Sequence, residues 1–292
     1  MGDVVMTECL HATVEDFELR TKLDSGVIRK VTAVSGWDEG ASLETTSPGR
    51  PERHGTFETP AYMRGLEPVI EGAVTCPDHA TAVEEQQLFG RILAGGAYGT
   101  LTLQHAGTEL LSARVRRAAR VAIIPTSDRT FSYRLQLFSP DPYRYGPEQS
   151  ASTGFAMPPA GAGLRFPMFG HPSGQIDFGA PPVAASILLE NAGPQTAWPT
   201  FEVVGPVDGF RILDVTTGSA TDFTGSLVEG ASVLIHTATG RATRGDGADV
   251  TTGLRMPVIP TIPPYSQREF LFEPLSAATD AVLTGRVYPT YF

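Results

Sequence analysis

The stretch 131–146, FSYRLQLFSPDPYRYG, constrains the fold of this chain more than any other. Its first half alternates apolar and polar residues, and the apolar positions are Phe131, Tyr133, Leu135 and Leu137. An apolar period of two predicts a β-strand with one buried face. Pro140 and Pro142 then remove two backbone donors, so the strand cannot continue through them. We therefore expect the last strand of a first domain here, followed by the exit from that domain.

Length and charge exclude several classes of protein. A chain of 292 residues has room for two domains, each with its own core. The net charge of −10 argues against general affinity for nucleic acid or for an anionic membrane surface. No apolar run approaches the ~20 residues that cross a bilayer, so we expect no membrane insertion. Cys9 and Cys76 are expected to be buried free thiols.

The first domain, 1–146, is predicted to be β-rich with one α-helix. Asp78 is a good N-cap, and an apolar side followed by Gly95-Gly96 predicts a helix over about 78–94. Alternating patterns predict strands around this helix at 17–22, 27–34, 67–75, 100–105 and 110–124.

Residues 38–58 contain almost no aliphatic side chains and show no period. A loop of this length inside a compact domain is uncommon and usually serves a function or a partner. The other interpretation is a solvated, mobile loop. Both interpretations are consistent with the sequence.

The second half of the chain differs from the first in composition and in the spacing of its predicted elements. Residues 147–183 hold seven prolines and six glycines among several apolar side chains, which predicts an ordered arm or linker. Beyond it, 184–292 shows short strands about ten residues apart and no helical period. This spacing predicts a β-sandwich of jelly-roll or lectin-like type. The predicted strands are 184–190, 199–204, 210–215, 232–237, 268–273 and 281–288.

Motifs for catalysis, cofactors and metals are missing from the sequence. It contains no nucleophile elbow, phosphate-binding loop, zinc-protease helix or dinucleotide glycine signature. The six histidines are scattered without metal-ligand spacing. We therefore expect no enzyme, no cofactor and no metal site.

Two sets of residues are candidates for binding. Arg114, Arg116 and Arg120 are predicted to share one strand face, either as a basic stripe for an acidic partner or channel, or as a solvated face. Trp198 could stack on a sugar in a lectin-like sandwich, or pack in the core or a turn.

These features together resemble a known family, the distal tail proteins of long-tailed siphophages. In the first domain the resemblance lies in VTAVSGW at 31–37, GRP at 49–51, GTF at 55–57, LEPVIEGAVTCPD at 66–78 and LQLFSPDPYRYG at 135–146. In the second half it lies in GLRFPMFG at 163–170, ENAGPQTAWPTFEVVGPV at 190–207, LVEGASVLIHTATGRATRG at 227–245 and PYS at 264–266.

The resemblance implies a structural virion protein at the phage tail tip, assembled in the host cytoplasm. The N-terminal domain would form a hexameric ring, and a galectin-like or carbohydrate-module-like sandwich would decorate it. The implied partners are the tail tube protein, the tape measure protein and the tail hub or tail-associated protein, without sequence-specific nucleic-acid binding.

A closed ring needs a heterologous interface, for which strand edges and the 38–58 loop offer material. The candidate interface residues are Trp37, Arg50, Arg53, Phe57, Arg114, Arg116 and Arg120. An alternative function is a carbohydrate-binding module at the host surface, with Trp198 as glycan contact. A third hypothesis, a glycan hydrolase, requires two facing carboxylates.

Overall fold

The computed structural model describes residues 9–45, 48–154, 185–275 and 280–292. They form two compact units, the first comprising the chain up to Pro147 together with Thr290–Phe292, and the second Glu148–Pro289. Most of the predicted arm or linker, including the 163–170 motif, lies outside the described residues. Cys9 and Cys76 are buried free thiols, which confirms that prediction.

The first unit is built mainly from antiparallel strands. Its strands, before the chain leaves for the second unit, are Cys9–Val14 (β1), Phe17–Glu18 (β2), Thr21–Lys22 (β3), Ile28–Ser35 (β4), Leu43–Glu44 (β5), Tyr62–Met63 (β6), Val69–Thr75 (β7), Tyr98–His105 (β8), Leu111–Arg117 (β9), Ala122–Ser127 (β10), Thr130–Phe138 (β11) and Arg144–Tyr145 (β12).

The second unit contains ten strands among its described residues, and the chain then returns to the first unit for one more. These strands are Gln149–Gly154 (β13), Ser186–Asn191 (β14), Thr200–Val204 (β15), Val207–Asp214 (β16), Ala220–Leu227 (β17), Ser232–His236 (β18), Arg241–Arg244 (β19), Leu254–Arg255 (β20), Ser266–Pro274 (β21), Val282–Val287 (β22) and, back in the first unit, Thr290–Tyr291 (β23).

Strand β11 is central to the first unit, as the alternation of 131–137 predicts. The main sheet has the order β2-β1-β8-β9-β11-β7-β4-β3, with β10 beside β11 and β12 between β9 and β23. The four apolar side chains of β11 are all buried, and the polar ones between them are not. β11 pairs with β7 from Thr130 to Gln136 and with β9 only at Leu137 and Phe138.

Helix α1, His79–Arg91, covers the core of this unit, and the prediction of one helix is confirmed. Asp78 caps it by accepting a hydrogen bond from the backbone N–H of Thr81 at 2.9 Å. Phe89 inserts from the helix between the rings of Phe17, Phe131 and Tyr133, with centroid separations of 5.1, 5.7 and 4.5 Å.

Glu85 is a charged side chain of helix α1 that is buried in the core of the first unit. Its carboxylate accepts two hydrogen bonds from the guanidinium of Arg29 on β4, both 2.9 Å long. Because the two charged groups share two hydrogen bonds, each charge is compensated by the other within the core.

The predicted strand 110–124 is two strands. β9 ends at Arg117, the chain bends through 118–121, and β10 runs antiparallel to β11. Arg120 therefore lies in the bend after β9, and the prediction that it shares a strand face with Arg114 and Arg116 is wrong. At the start of the bend, the backbone N–H of Ala118 donates to the carbonyl oxygen of Gln136 on β11 at 2.9 Å.

The second unit is a sandwich of two antiparallel five-stranded sheets, ordered β13-β22-β15-β18-β19 and β14-β21-β16-β17-β20. Aromatic side chains from both sheets meet in its core, with the Phe201 and Phe270 rings 5.0 Å apart. Gly285 lets the sheets approach, because a Cβ there would lie 2.3 Å from Ile187 Cδ1. The predicted fold class, mainly β with one helix and a C-terminal sandwich, is confirmed.

The boundaries of the units differ from the predicted ones. The prediction assigns 184–292 to the sandwich, whereas β13 also belongs to it and the final strand β23 does not. β23 pairs instead with β12 of the first unit, with Arg144 opposite Tyr291 and Tyr145 opposite Thr290.

Candidate functional site

The 38–64 hairpin, which includes the predicted patternless loop, is the most exposed part of the first unit. None of its described residues, 38–45 and 48–64, is buried. Although the sequence of 38–58 shows no period, the structure contains a two-residue ladder between β5 and β6 and an isolated bridge between Gly49 and Thr56. It is a β-hairpin built without a core of its own.

The base of the 38–64 hairpin is held tightly by backbone contacts. Gly36 has a φ of +68° and lies so close to Glu67 that an added Cβ would be 2.4 Å from its carbonyl oxygen. On the returning side, a Cβ at Gly65 would lie 2.1 Å from the carbonyl oxygen of Ser139. Leu66 then bonds to Ser139 through a backbone bridge. The hairpin therefore leaves the sheet from a rigid origin.

The stem of the hairpin carries an exposed ion pair. The guanidinium of Arg64 donates to both carboxylate oxygens of Glu44, at 3.2 and 3.0 Å. These hydrogen bonds and the adjacent positive charge lower the pKa of Glu44. Because both side chains face solvent, water and salt screen this pair strongly.

The tip carries the predicted interface residues Arg50, Arg53 and Phe57, and all three are exposed. The Arg50 guanidinium lies 5.6 Å from the centre of the Phe57 ring, a cation–π arrangement. Two backbone hydrogen bonds close the tip, from Arg50 to Gly55 and from Phe57 to Pro48. Exposed apolar side chains continue along the stem at Leu43 and Tyr62.

Trp37 does not belong to this exposed surface. The side chain is 1% exposed, in the core at the base of the hairpin, under the guanidinium of Arg144 at 5.5 Å from the ring. Its inclusion among the interface residues is therefore corrected, because a buried ring offers no area to a second subunit. Burial lowers the pKa of Arg144, which donates to Asp38 at 3.0 Å and to the backbone of Phe292.

Arg114 and Arg116 lie exposed on β9, each over an aromatic ring. The Arg114 guanidinium is 4.3 Å from the Tyr98 ring centre, and that of Arg116 is 5.2 Å from the Phe138 ring centre. The aromatic rings orient both guanidinium groups while leaving them accessible. The two residues form a basic patch, with Arg120 exposed in the bend that follows.

In the second unit, two loops at one end of the sandwich are tied together by Asn191, which is completely buried. Its side-chain nitrogen donates to the backbone oxygens of Gln195, Ile262 and Pro263, and its oxygen accepts from Gly193. Trp198 follows in the first of these loops and is half-buried. Its assignment as a glycan contact stays a prediction.

Tyr265, in the second of these loops, is a residue that the sequence does not single out as a site. It is 74% exposed and has a φ of +50°. Its sequence signals are its position after two prolines, which indicates a turn, and its place in the PYS stretch at 264–266 of the family resemblance.

No grouping of three His, Cys, Asp or Glu side chains with the geometry of a metal site is found in the described ranges. The same part of the chain contains no helix long and apolar enough to cross a membrane.

No known family model matches the chain, and no curated protein matches it by sequence. Solved structures do match the chain. Across nearly its whole length it has the fold of a phage distal tail protein. The match is to the crystal structure of Dit (gp 19.1) from phage SPP1, described as a paradigm of the hub adsorption apparatus in phages infecting Gram-positive bacteria.

The alignment with SPP1 Dit covers 97% of this chain and 99% of that one, with a TM-score of 0.60 and 13% sequence identity. Two structures of the phage p2 baseplate in its activated conformation, with strontium and with calcium, match with TM-scores of 0.47 and 0.42 at 14% and 13% identity. They cover 94% and 90% of this chain, and 97% and 91% of the matched chains. The match with SPP1 Dit confirms, at the level of the fold, the resemblance inferred from the sequence.

Proposed function

We propose that this chain is a structural subunit of a phage tail, forming a hexameric ring between the tail tube and the tail-tip hub. The observation that carries the proposal is the match in fold to SPP1 Dit over both units of the chain. The proposed partners are the tail tube protein, the tape measure protein and the hub or tail-associated protein. In this role the chain has no catalytic reaction and resides at the tip of the virion after assembly in the host cytoplasm.

The first unit has surfaces suited to a ring. A sixfold ring requires each subunit to offer two different surfaces, one on either side. The 38–64 hairpin is one candidate, because a hairpin without its own core gains buried area when it lies on a neighbour. The basic patch of Arg114 and Arg116, with Arg120 beside it, is the other. A contact that holds by itself should bury upward of ~1,000 Å² in total.

Electrostatics is consistent with a conduit for DNA. A net charge of −10 gives an acidic ring, which does not retain a polyanion passing through it. The arginine residues are therefore assigned to subunit contacts rather than to the lumen.

Solution mass is the first test. Light scattering of the purified chain is expected to give a particle of about six times 31.1 kDa, with open rings in negative-stain images of the same fraction. A mass of one chain at every concentration, with no rings in the images, would contradict self-assembly.

A second test addresses the tip of the hairpin. Arg50→Glu combined with Arg53→Glu should abolish the ring while leaving the unfolding temperature unchanged, because both side chains are exposed. Arg241→Glu, an exposed arginine on the sandwich, is the matched control and should assemble normally. If both variants assemble equally well, the tip of the hairpin is not part of the subunit interface.

A further inference from the structure

We propose that the first unit binds an extended, carboxylate-rich peptide segment of another protein in a cleft between β1, β3 and β4. This basic cleft is defined by Arg20, Lys22 and Lys30 together with the strand edges beside them. The proposal does not depend on ring formation. The residues assigned above to subunit contacts are not among those that line the described part of the cleft.

The lining of the basic cleft is the first observation. The cleft has a volume of about 540 Å³, which lies within the range of ligand sites in proteins. Of its nine described lining residues, four are the cations Arg20, Lys22, Arg29 and Lys30, and none is an acid. The whole chain has 32 acidic and 22 basic residues. The cleft therefore concentrates positive charge on an acidic protein, which favours an anionic ligand.

The availability of two of these charges is the second observation. Lys22 and Lys30 are the only lysines of the chain, and both are exposed. Within the described ranges, neither forms an ion pair or a side-chain hydrogen bond. Arg29 differs, because the buried carboxylate of Glu85 compensates its charge at 2.9 Å. The two ammonium groups can therefore donate hydrogen bonds to the carboxylates of a ligand.

The open edges of two strands are the third observation. β1 pairs with β8 on one side, but on the other side it pairs with β2 only through its last two residues. β4 pairs with β7 on one side and with β3 only through its first two residues on the other. Among the described strands, none pairs with the remainder of these two edges, and residues 9–10 and 30–31 from them line the cleft. Such edges offer backbone donors and acceptors to an extended peptide.

The side chains around the cleft indicate the pattern of the peptide. Leu10 is 47% exposed, and Ile28 and Val31 also line the cleft. Successive side chains of an extended peptide point to opposite sides. One row can therefore contact these apolar groups while the other presents carboxylates to the lysines. We expect a partner segment in which acidic and apolar residues alternate.

The same features argue against DNA as the ligand. A DNA duplex cannot pair with the open edge of a β-strand, and the net charge of −10 repels a polyanion over most of the surface.

Fluorescence anisotropy of the full chain with a synthetic peptide tests the proposal. The probe alternates glutamate and valine over about eight residues, which is within the usual length of a strand. Lys22→Gln combined with Lys30→Gln should raise the Kd about tenfold, because two charge contacts are lost. Arg241→Gln combined with Arg255→Gln is the matched control. It removes two exposed positive charges from the second unit, so its Kd should equal that of the unaltered chain.

Three further measurements separate binding in the cleft from general attraction of charge and from loss of structure. A probe with glutamine in place of glutamate should bind more weakly. The bound probe should slow hydrogen exchange of backbone amides in 30–35, on the open edge of β4. Both double variants should unfold at the temperature of the unaltered chain, because all four side chains are exposed.

The proposal is overturned if the probe does not bind, if the two double variants have equal Kd values, or if only double-stranded DNA binds. It also fails if the lysine variant loses its rings while the probe never binds, since a second copy of this chain would then occupy the cleft. Ring assembly is scored separately by mass, so a chain that binds the probe as a monomer refutes only the ring.

Discussion

Two exposed regions of this protein present a tyrosine to solvent in opposite ways. Tyr62 lies on an extended strand of the 38–64 hairpin, where a two-residue ladder and a solvated ion pair are the main internal contacts. Tyr265 lies on a loop whose backbone is fixed through the buried Asn191. The two side chains are about equally exposed, at 71% and 74%. Exposure alone therefore does not distinguish a segment with few internal contacts from one that a buried side chain holds in place.

The largest loss of stability is expected when the side chain that supports the two sandwich loops is removed. Asn191→Ala removes a completely buried side chain that bonds to three backbone carbonyls and to the Gly193 N–H. We expect a loss of about 3 kcal/mol, or about 10 °C in the unfolding temperature of the second unit, measured by calorimetry. Gln195→Ala is the control, because only its backbone contacts Asn191. A shift of the same size in both variants would contradict the role of Asn191.

The next effect concerns the rigid base of the 38–64 hairpin. Gly36→Ala places a methyl group against the Glu67 carbonyl and forces a left-handed residue to carry a Cβ, which should cost about 2 kcal/mol in the first unit. Gly40→Ala has a similar φ of +72° but open space around it, so its cost should be at most about 1 kcal/mol. Thermal unfolding of the two variants measures the difference. Equal costs would show that the base is not crowded.

A third, smaller effect has the opposite sign. Tyr265→Gly should stabilise the second unit by about 1 kcal/mol, because glycine accepts the left-handed backbone without strain. Tyr62→Gly offers no such gain, since the strand backbone at Tyr62 is extended. Calorimetric unfolding temperatures of both variants test this, and destabilisation by Tyr265→Gly would mean that the side chain contributes packing.

The smallest effect is expected in the stem of the hairpin. Its ion pair lowers the pKa of Glu44, so its contribution is present above the ordinary glutamate pKa and is lost as pH falls through the lowered value. Arg64→Ala should leave the unfolding temperature unchanged and move the Glu44 pKa back up, as followed by NMR titration of its carboxyl carbon. An unshifted Glu44 pKa would show that the pair does not persist in solution.

Patterns among neighbouring residues are sufficient to predict much of the fold. Strand β11 and the Asp78 cap depend on neighbouring residues, and the sequence predicts both. Strand β17 was missed because Thr221, which is 1% exposed, faces the core where an apolar residue would complete the alternation. The stem strands of the 38–64 hairpin were missed because they bury no side chain and so leave no apolar period.

The candidate sites were predicted less completely, because long-range contacts define them. The burial of Glu85 depends on Arg29, 56 residues away. Trp37 looked like a surface residue because the Arg144 that covers it lies more than a hundred positions along the chain. The positive φ of Tyr265 is likewise not specified by the sequence Pro-Pro-Tyr-Ser.

The return of β23 to the side of β12 has an evolutionary consequence. The chain leaves the first unit just after Tyr145 and comes back at Thr290, its partner in the antiparallel ladder. The sandwich is thus an insertion whose two ends start from adjacent points, and such a segment can be exchanged by recombination without altering the register of the sheet that receives it. The sandwich could therefore be exchanged as a whole while the first unit stays the same.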